Sequence, residues 1–169
     1  MNESLKNRIA EKRWAIERNE KLNFFMQKIS STNLNNKIEN LGFVESDEFQ
    51  KKSEEWPNKY VENLYFQIEL NNVEEISKRI QNYLDKIETD YLYIFLLNFN
   101  FGLLKIEKSL FLTEWNKILE IDSDEIFCFN PLKTDFICIE KTEEYIIGKE
   151  NEGRKWICEI TYSNKNIMN

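Results

Sequence analysis

Histidine is absent from this 169-residue sequence. Its absence removes the most common general base, the usual partner of a catalytic Ser or Cys, and the most common metal ligand. Most hydrolytic active sites are therefore excluded. The other residues form no pattern that predicts a cofactor or a bound metal, and we expect a protein that is not an enzyme.

Glycine and proline are scarce, with 4 and 2 residues, which argues against glycine-rich phosphate loops and long irregular segments. Three cysteines, Cys128, Cys138 and Cys158, are odd in number and widely spaced, so they predict neither a disulfide framework nor paired zinc ligands. Each cysteine lies among apolar residues of a predicted strand. We therefore expect three free structural thiols.

Long apolar runs are also missing. The longest, residues 91–97, is far shorter than the ~20 residues that a membrane helix requires. The first residues, Met1-Asn2-Glu3, do not lead into the apolar core of a secretory signal. These features predict a cytoplasmic protein without a membrane segment.

What the sequence does contain is negative charge together with apolar bulk. Net charge is −7, and hydrophobic residues make up 41% of the chain, enough for a packed core. Residues 114–169 contain 12 acidic and 7 basic residues, so this third carries five of the seven excess negative charges. An acidic surface repels nucleic-acid phosphates and attracts basic proteins. We expect a protein partner and no nucleic acid.

The spacing of apolar residues predicts an α+β fold in a single domain, 1–169. A helical leader over 1–45, beginning with a long amphipathic helix over 3–29, precedes a mixed helix and sheet body over 57–163. A charged connection over 45–55 has room for a short helix. The apolar spacing of the long helix is too irregular for a sustained heptad, which favours docking on the body over dimerisation. The sequence leaves the oligomeric state open.

Several elements of the body have clear signals. Alternating apolar residues over 64–70 predict a strand, with a helix as the alternative. Asn72 followed by Glu75 predicts the N-terminal cap of a helix over 73–87. A nearly continuous apolar run over 91–98 predicts a central strand covered on both faces.

The last third predicts a helix followed by sheet. Thr113 has the character of an N-cap before a helix that reaches residue 121. The strands that follow should form an antiparallel, C-terminal sheet packed against the helices over 73–87 and 113–121. Its predicted strands are 125–129, 135–141, 144–149 and 155–162, with turns at 130–131, 142–143 and 151–153.

Acidic side chains cluster at residues 122–125, where the predicted helix leads into the first strand, and at residues 140–144, around the predicted turn at 142–143. Neither cluster has the glycine-punctuated ligand spacing of a calcium loop. Three interpretations stay open: a surface that binds a partner, ordinary solvation of turns, and a site that binds a hard cation or performs catalysis with a carboxylate pair. The predicted partner-binding residues are Asp122, Asp124, Glu125, Glu143 and Glu144, with Tyr145 and Trp56 as aromatic anchors.

The stretch from Trp115 to Trp156 also carries a resemblance. A helix with Trp115 and Leu119 is followed by Asp-Glu-Ile-Phe-Cys-Phe-Asn-Pro at 124–131, by Asp-Phe-Ile-Cys-Ile at 135–139, and then by Tyr145 and Trp156. In style this order resembles the small acidic immunity proteins of bacterial polymorphic-toxin and contact-dependent growth inhibition systems.

The resemblance implies a cytoplasmic antitoxin that binds the C-terminal domain of a cognate toxin, commonly a basic nuclease, and covers its active site. It includes no invariant motif, so no site residue is carried over from the family. Two other classes stay open. One is a non-catalytic adaptor or scaffold, and the other is a carboxylate-dependent enzyme.

Overall fold

The computed structural model describes residues 3–30, 32–35, 37–54, 63–95, 103–121, 124–131, 135–144 and 153–163. The predicted α+β class is confirmed. In chain order the elements are α1 (Glu3–Ile29), β1 (Glu39–Asn40), α2 (Phe43–Glu54), β2 (Asn63–Glu69), α3 (Val73–Leu84), β3 (Tyr91–Phe95), β4 (Leu103–Glu107), α4 (Lys108–Ile121), β5 (Glu125–Phe129), β6 (Phe136–Glu144) and β7 (Lys155–Ser163).

The strands in the described part of the chain form one antiparallel sheet of seven, in the order β1-β4-β3-β5-β6-β7-β2. The sheet is not confined to the C-terminal half of the chain. Strand β2, from the first half, pairs with β7 along its whole length, from Asn63 opposite Ser163 to Glu69 opposite Ile157. The two edges of the sheet are therefore the two-residue β1 and the seven-residue β2.

One face of the sheet is the floor of the hydrophobic core. Side chains alternate between the two faces of a strand, and register brings Ile94, Cys128 and Ile137 side by side on this face. All three are fully buried. Helices α3 and α4 pack against this face and against each other, which completes a two-layer core.

Helix α3 follows its sequence prediction closely. The Asn72 side chain accepts a hydrogen bond from the backbone N–H of Glu75 at 3.3 Å, which caps the first turn. Ile76, Ile80 and Tyr83 are buried on one face, as the 3.6-residue period requires. The helix ends at Leu84, three residues before the predicted end at 87.

The predicted start of α4 is wrong. The helix begins at Lys108, so Thr113 lies inside it and is not its N-cap. The Thr113 hydroxyl instead lies 3.2 Å from the carbonyl oxygen of Ser109 and 3.0 Å from that of Leu110, and it donates back into the preceding turn. The hydroxyl therefore has its hydrogen-bond acceptors within the helix, and Thr113 does not act as a cap.

The turn predicted at 142–143 is also wrong. Strand β6 runs through it to Glu144, and Thr142 and Glu143 pair with Ile157 and Trp156 of β7. Charge at these positions reflects the partly exposed end of a strand and not a chain reversal. Residues 145–149 of the strand predicted over 144–149 lie outside the described residues, as do residues 151 and 152 of the next predicted turn.

The long helix α1 has the bounds that the sequence predicts, and it contacts the body at its C-terminal end. Phe25 and Ile29 are fully buried, and the Lys28 ammonium donates to the carbonyl oxygen of Ile121 at 3.3 Å. Farther up the helix, Leu5 and Ile16 are 48% and 70% exposed. No helix in the described part of the chain has both the length and the apolar character of a membrane span.

Candidate functional site

The face of the sheet opposite α3 and α4 is only partly covered. Helix α2 lies over its β3 end, where the Phe49 ring makes edge contacts with Tyr93 at 5.4 Å and Phe129 at 5.3 Å. This contact covers part of the second face of β3, where Tyr93 is half-buried. Residues 96–98 of the strand predicted over 91–98 lie outside the described part of the chain. Beyond Phe129, the described helices that make the main contacts with these strands, α3 and α4, lie on the opposite face. We call its β5-β6-β7-β2 portion the open sheet face.

A row of carboxylates crosses the open sheet face. Glu125 of β5 stands opposite Glu140 of β6, and Glu140 stands opposite Glu159 of β7. Directly opposed residues have Cβ atoms about 4.5–5.5 Å apart, so three negative charges lie in a line across three strands. We call Glu125, Glu140 and Glu159 the acidic row. Like charges in directly opposed positions destabilise a sheet, so this arrangement has an energetic cost.

Neutral groups are the hydrogen-bond donors to the acidic row. Gln67 Nε2 donates to Glu159 Oε1 at 3.0 Å, and Thr142 Oγ1 lies 3.4 Å from the same oxygen. The Cys138 thiol lies 3.6 Å from Glu125 Oε1. Among the described residues no Lys or Arg forms an ion pair with the row. Its negative charge is therefore not neutralised within the described part of the chain.

Other carboxylates at the margins of the same face are neutralised. Glu69 at the end of β2 forms an ion pair with Lys155 at 2.6 Å, and this interaction lowers the pKa of the Glu69 carboxyl. Glu39 of β1 pairs with Lys105 at 3.0 Å. Strand carboxylates elsewhere on this face therefore have cationic partners, whereas the acidic row has none among the described residues.

The acidic row perturbs the ionisation of the groups within it. Burial raises the pKa of the Glu140 carboxyl, and the charges of Glu125 and Glu159 raise it further. Burial, followed by the charge of Glu125, raises the pKa of the Cys138 thiol. Both shifts have the direction expected where negative charge accumulates without a cation.

Replacing Glu140 with Gln is expected to stabilise the protein at pH 7. The pKa of Glu140 is raised in the folded state, so protonated Glu140 stabilises the fold at pH values below its ordinary pKa of 4.5. This stabilisation is lost as the pH rises through the pKa of the folded state. Removing the ionised carboxylate should raise the free energy of unfolding at pH 7 by about 0.5–1 kcal/mol. Urea denaturation at pH 7 and at pH 4 measures the effect, and the gain should vanish at pH 4.

Glu11→Gln is the control for this prediction, because Glu11 is exposed in the interior of α1, away from the sheet and from both ends of its helix. It should leave the stability at pH 7 nearly unchanged. If Glu140→Gln were destabilising at pH 7, the carboxylate would be held by interactions that outweigh the repulsion in the row.

The structure separates the predicted partner-binding residues. Glu125 and Glu144 both belong to the open sheet face, with Glu144 opposite Lys155 at the end of β6. Glu125 is half-buried and Glu144 is exposed. Three further predicted residues lie outside the described part of the chain: Asp122, Tyr145 and Trp56.

Asp124 and Glu143 contact cations away from the acidic row. Asp124 pairs with Lys141 at 3.1 Å, and Glu143 pairs with Arg154 at 3.0 Å. Asp124 also has a left-handed backbone, with φ of 84°, and its carbonyl accepts from the Lys141 N–H at 2.7 Å. Aspartate tolerates that conformation better than most residues, so Asp124 has a structural role where α4 leads into β5.

Sequence reasoning found only part of the acidic row. It placed Glu140 in an acidic cluster without naming it as a partner-binding residue, and it did not single out Glu159. The available signal was alternation within strands. Ile126, Ile139 and Ile160 are neighbours on the core face, and each is next in sequence to one glutamate of the row. Because consecutive side chains point to opposite faces, the three glutamates lie together on the other face.

A second row flanks the acidic row and gives the face an apolar component. Its members stand side by side across all four strands of the open sheet face: Phe127, Cys138, Thr161 and Tyr65. Tyr65 is 53% exposed, and burial, together with a hydrogen bond to Glu159, raises the pKa of its hydroxyl. Tyrosine is among the residues enriched in protein-binding surfaces.

Within the described residues, no group of three or more Cys, Asp and Glu side chains is arranged to hold a metal ion. Comparison with protein-family models, with curated proteins and with solved structures found no match to this chain.

Proposed function

We propose that this chain is an immunity protein that binds a basic toxin domain, commonly a nuclease, and blocks its active site with the open sheet face. In this proposal it acts in the cytoplasm, by binding and not by catalysis. The observation that carries the proposal is the acidic row: Glu125, Glu140 and Glu159 stand side by side without a described cation.

The chemistry of the row suits a nuclease active site. A nuclease presents Lys and Arg side chains to successive phosphates, and these cations can bind carboxylates instead. The row supplies three carboxylates at the spacing of neighbouring strands, on a hydrogen-bonded sheet that restrains their positions. Little ordering entropy is then lost when a partner binds.

The repulsion within the row also favours a cationic partner. Burial and, after it, the charges of Glu125 and Glu159 raise the pKa of the Glu140 carboxyl, and an Arg or Lys placed over Glu140 would relieve the like-charge part of this effect. The free protein bears this electrostatic cost, and the complex removes it. The proposal retains Glu125 and Glu144 from the sequence prediction and adds Glu140 and Glu159, while Asp124 and Glu143 are satisfied by their own ion pairs.

The test is protection of bacterial cells. The chain is co-expressed with the C-terminal domain of a large secreted protein encoded immediately upstream of its gene, and growth is measured. The unmodified chain should restore growth. The triple variant Glu125→Lys, Glu140→Lys, Glu159→Lys should lose protection, because it places three cations against the basic surface of the toxin.

A matched triple variant separates the open sheet face from net charge. Glu11, Glu74 and Glu120 are exposed on α1, α3 and α4, and changing all three to Lys alters net charge by the same amount. This control should still protect cells. Circular dichroism confirms that both variants fold. Equal protection by the two variants, or a chain that never protects against the neighbouring domain, would contradict the proposal.

A further inference from the structure

The two edges of the sheet differ in length. Strand β1 has two residues, whereas β2 has seven, Asn63 to Glu69, each paired with β7 in an unbroken register. No strand in the described part of the chain pairs with the other side of β2. A row of backbone N–H and C=O groups therefore faces outward along the length of this edge.

Strand β2 lacks the features that commonly prevent edge-to-edge association. It has no proline and no lysine, and the continuous register excludes a bulge. Its one charged residue, Glu69, is at the end. The residues facing the helices, Leu64, Phe66 and Ile68, are apolar and only half-buried. An edge of this length and composition favours pairing with another strand.

The space beside the edge is also open. A groove of about 620 Å³ between β2 and α3 is lined by residues that include Phe66, Ile68 and Arg79. The Arg79 guanidinium lies over the Phe66 ring at 4.4 Å and forms an ion pair with Glu75 at 2.6 Å. These contacts hold Arg79 near its own helix. The groove leaves room for the side chains of an added strand.

We propose that β2 pairs antiparallel with β2 of a second copy of this chain, about a two-fold axis at Phe66. In this register all seven residues are paired. Leu64 stands opposite Ile68, and Glu69 stands opposite Asn63, so no like charges are opposed within the two paired strands. The strand is self-complementary, which is the requirement for a closed two-fold interface. The dimer has one continuous sheet with both acidic rows uncovered on the same face.

In this register, a charge introduced at position 63 should strengthen or weaken the dimer according to its sign. Asn63→Lys places a cation opposite Glu69 of the second copy, and Asn63→Glu places an anion there. Each pair occurs twice about the axis. We therefore expect the dimer dissociation constant to fall about threefold to tenfold for Asn63→Lys and to rise by a similar factor for Asn63→Glu.

Sedimentation velocity over a concentration series, at low and high salt, measures these constants. The unmodified chain should form a dimer that salt strengthens, because each copy carries a net charge of −7. Asn82→Lys and Asn82→Glu are matched controls, since Asn82 is exposed on α3. They reproduce the change in net charge and should shift the constant less than the Asn63 variants do.

Two results would overturn this dimer. One is a chain that stays monomeric at every concentration, and the other is Asn63 variants that behave like their Asn82 counterparts. Hydrogen exchange of the β2 amides measures what pairs with this edge. If they become protected only when a foreign protein is added, the edge binds that protein and not a second copy. Cell protection by the open sheet face is scored separately, so either proposal can fail alone.

Discussion

Replacing Trp115 with Ala should lower the free energy of unfolding by about 3–5 kcal/mol, the usual cost of truncating a large core aromatic. Trp115 is 2% exposed, and its indole Nε1 donates to Ser77 Oγ at 3.2 Å. The side chain therefore joins α4 to α3 by both packing and a hydrogen bond. Because domains of this size are stable by only about 5–15 kcal/mol, the variant should be partly unfolded under mild conditions.

Urea denaturation followed by far-ultraviolet circular dichroism measures this loss. Trp156→Ala is the matched control, because Trp156 is 41% exposed and the Lys141 ammonium lies over its ring, 4.4 Å from the ring centre. Losing that contact should cost about 0.5–1 kcal/mol. Trp115→Phe should recover part of the lost stability by filling the cavity. If both alanine variants had the same cost, Trp115 would not be a central core residue.

The success of the fold prediction depended on how local each signal was. For α3, the cap at Asn72 and the apolar face that includes Ile76 and Ile80 all lie within one short segment, and the structure agrees with them. For α4, Thr113 had the residue type of a cap, but the apolar residues before it continue the helix back to Lys108. A hydroxyl can cap a helix or bond within it, and the sequence does not distinguish these roles.

The candidate site was harder to predict because strand register creates it. Glu125, Glu140 and Glu159 are distant in sequence, and they become neighbours only when three strands align in one register. A slip of one residue would move a glutamate to the core face. Composition located the excess of negative charge in the last third of the chain, but it could not separate Glu125 from Asp124, which belongs to an ion pair.

The position of the acidic row also connects stability with function. Natural sheets seldom place like charges in directly opposed positions, and the Glu140→Gln prediction expects a gain in stability at pH 7. A residue that lowers the stability of the free protein is typical of a binding surface, where complementarity to a partner takes precedence over internal stability. Strand β2 presents a similar conflict, since an open apolar edge is a risk for a monomer.

Neutralising the acidic row should weaken binding to the cognate toxin domain by about 2–5 kcal/mol, the range for breaking desolvated charge pairs on one side. The variant is Glu125→Gln, Glu140→Gln, Glu159→Gln, which keeps the shape of each side chain. In the complex it leaves cations of the toxin without partners at the centre of the interface. Dissociation should therefore be faster, and association should lose much of its dependence on salt.

Stopped-flow or surface-based kinetics at low and high salt separates these effects. Glu11→Gln, Glu74→Gln, Glu120→Gln is the control, because it alters net charge equally at exposed helical positions. Net charge acts at long range on the encounter, so the control should slow association slightly at low salt and leave the dissociation rate unchanged. Equal losses in the two variants would show that net charge alone governs binding, and the binding surface would then have to be sought on other elements, beginning with the exposed half of α1.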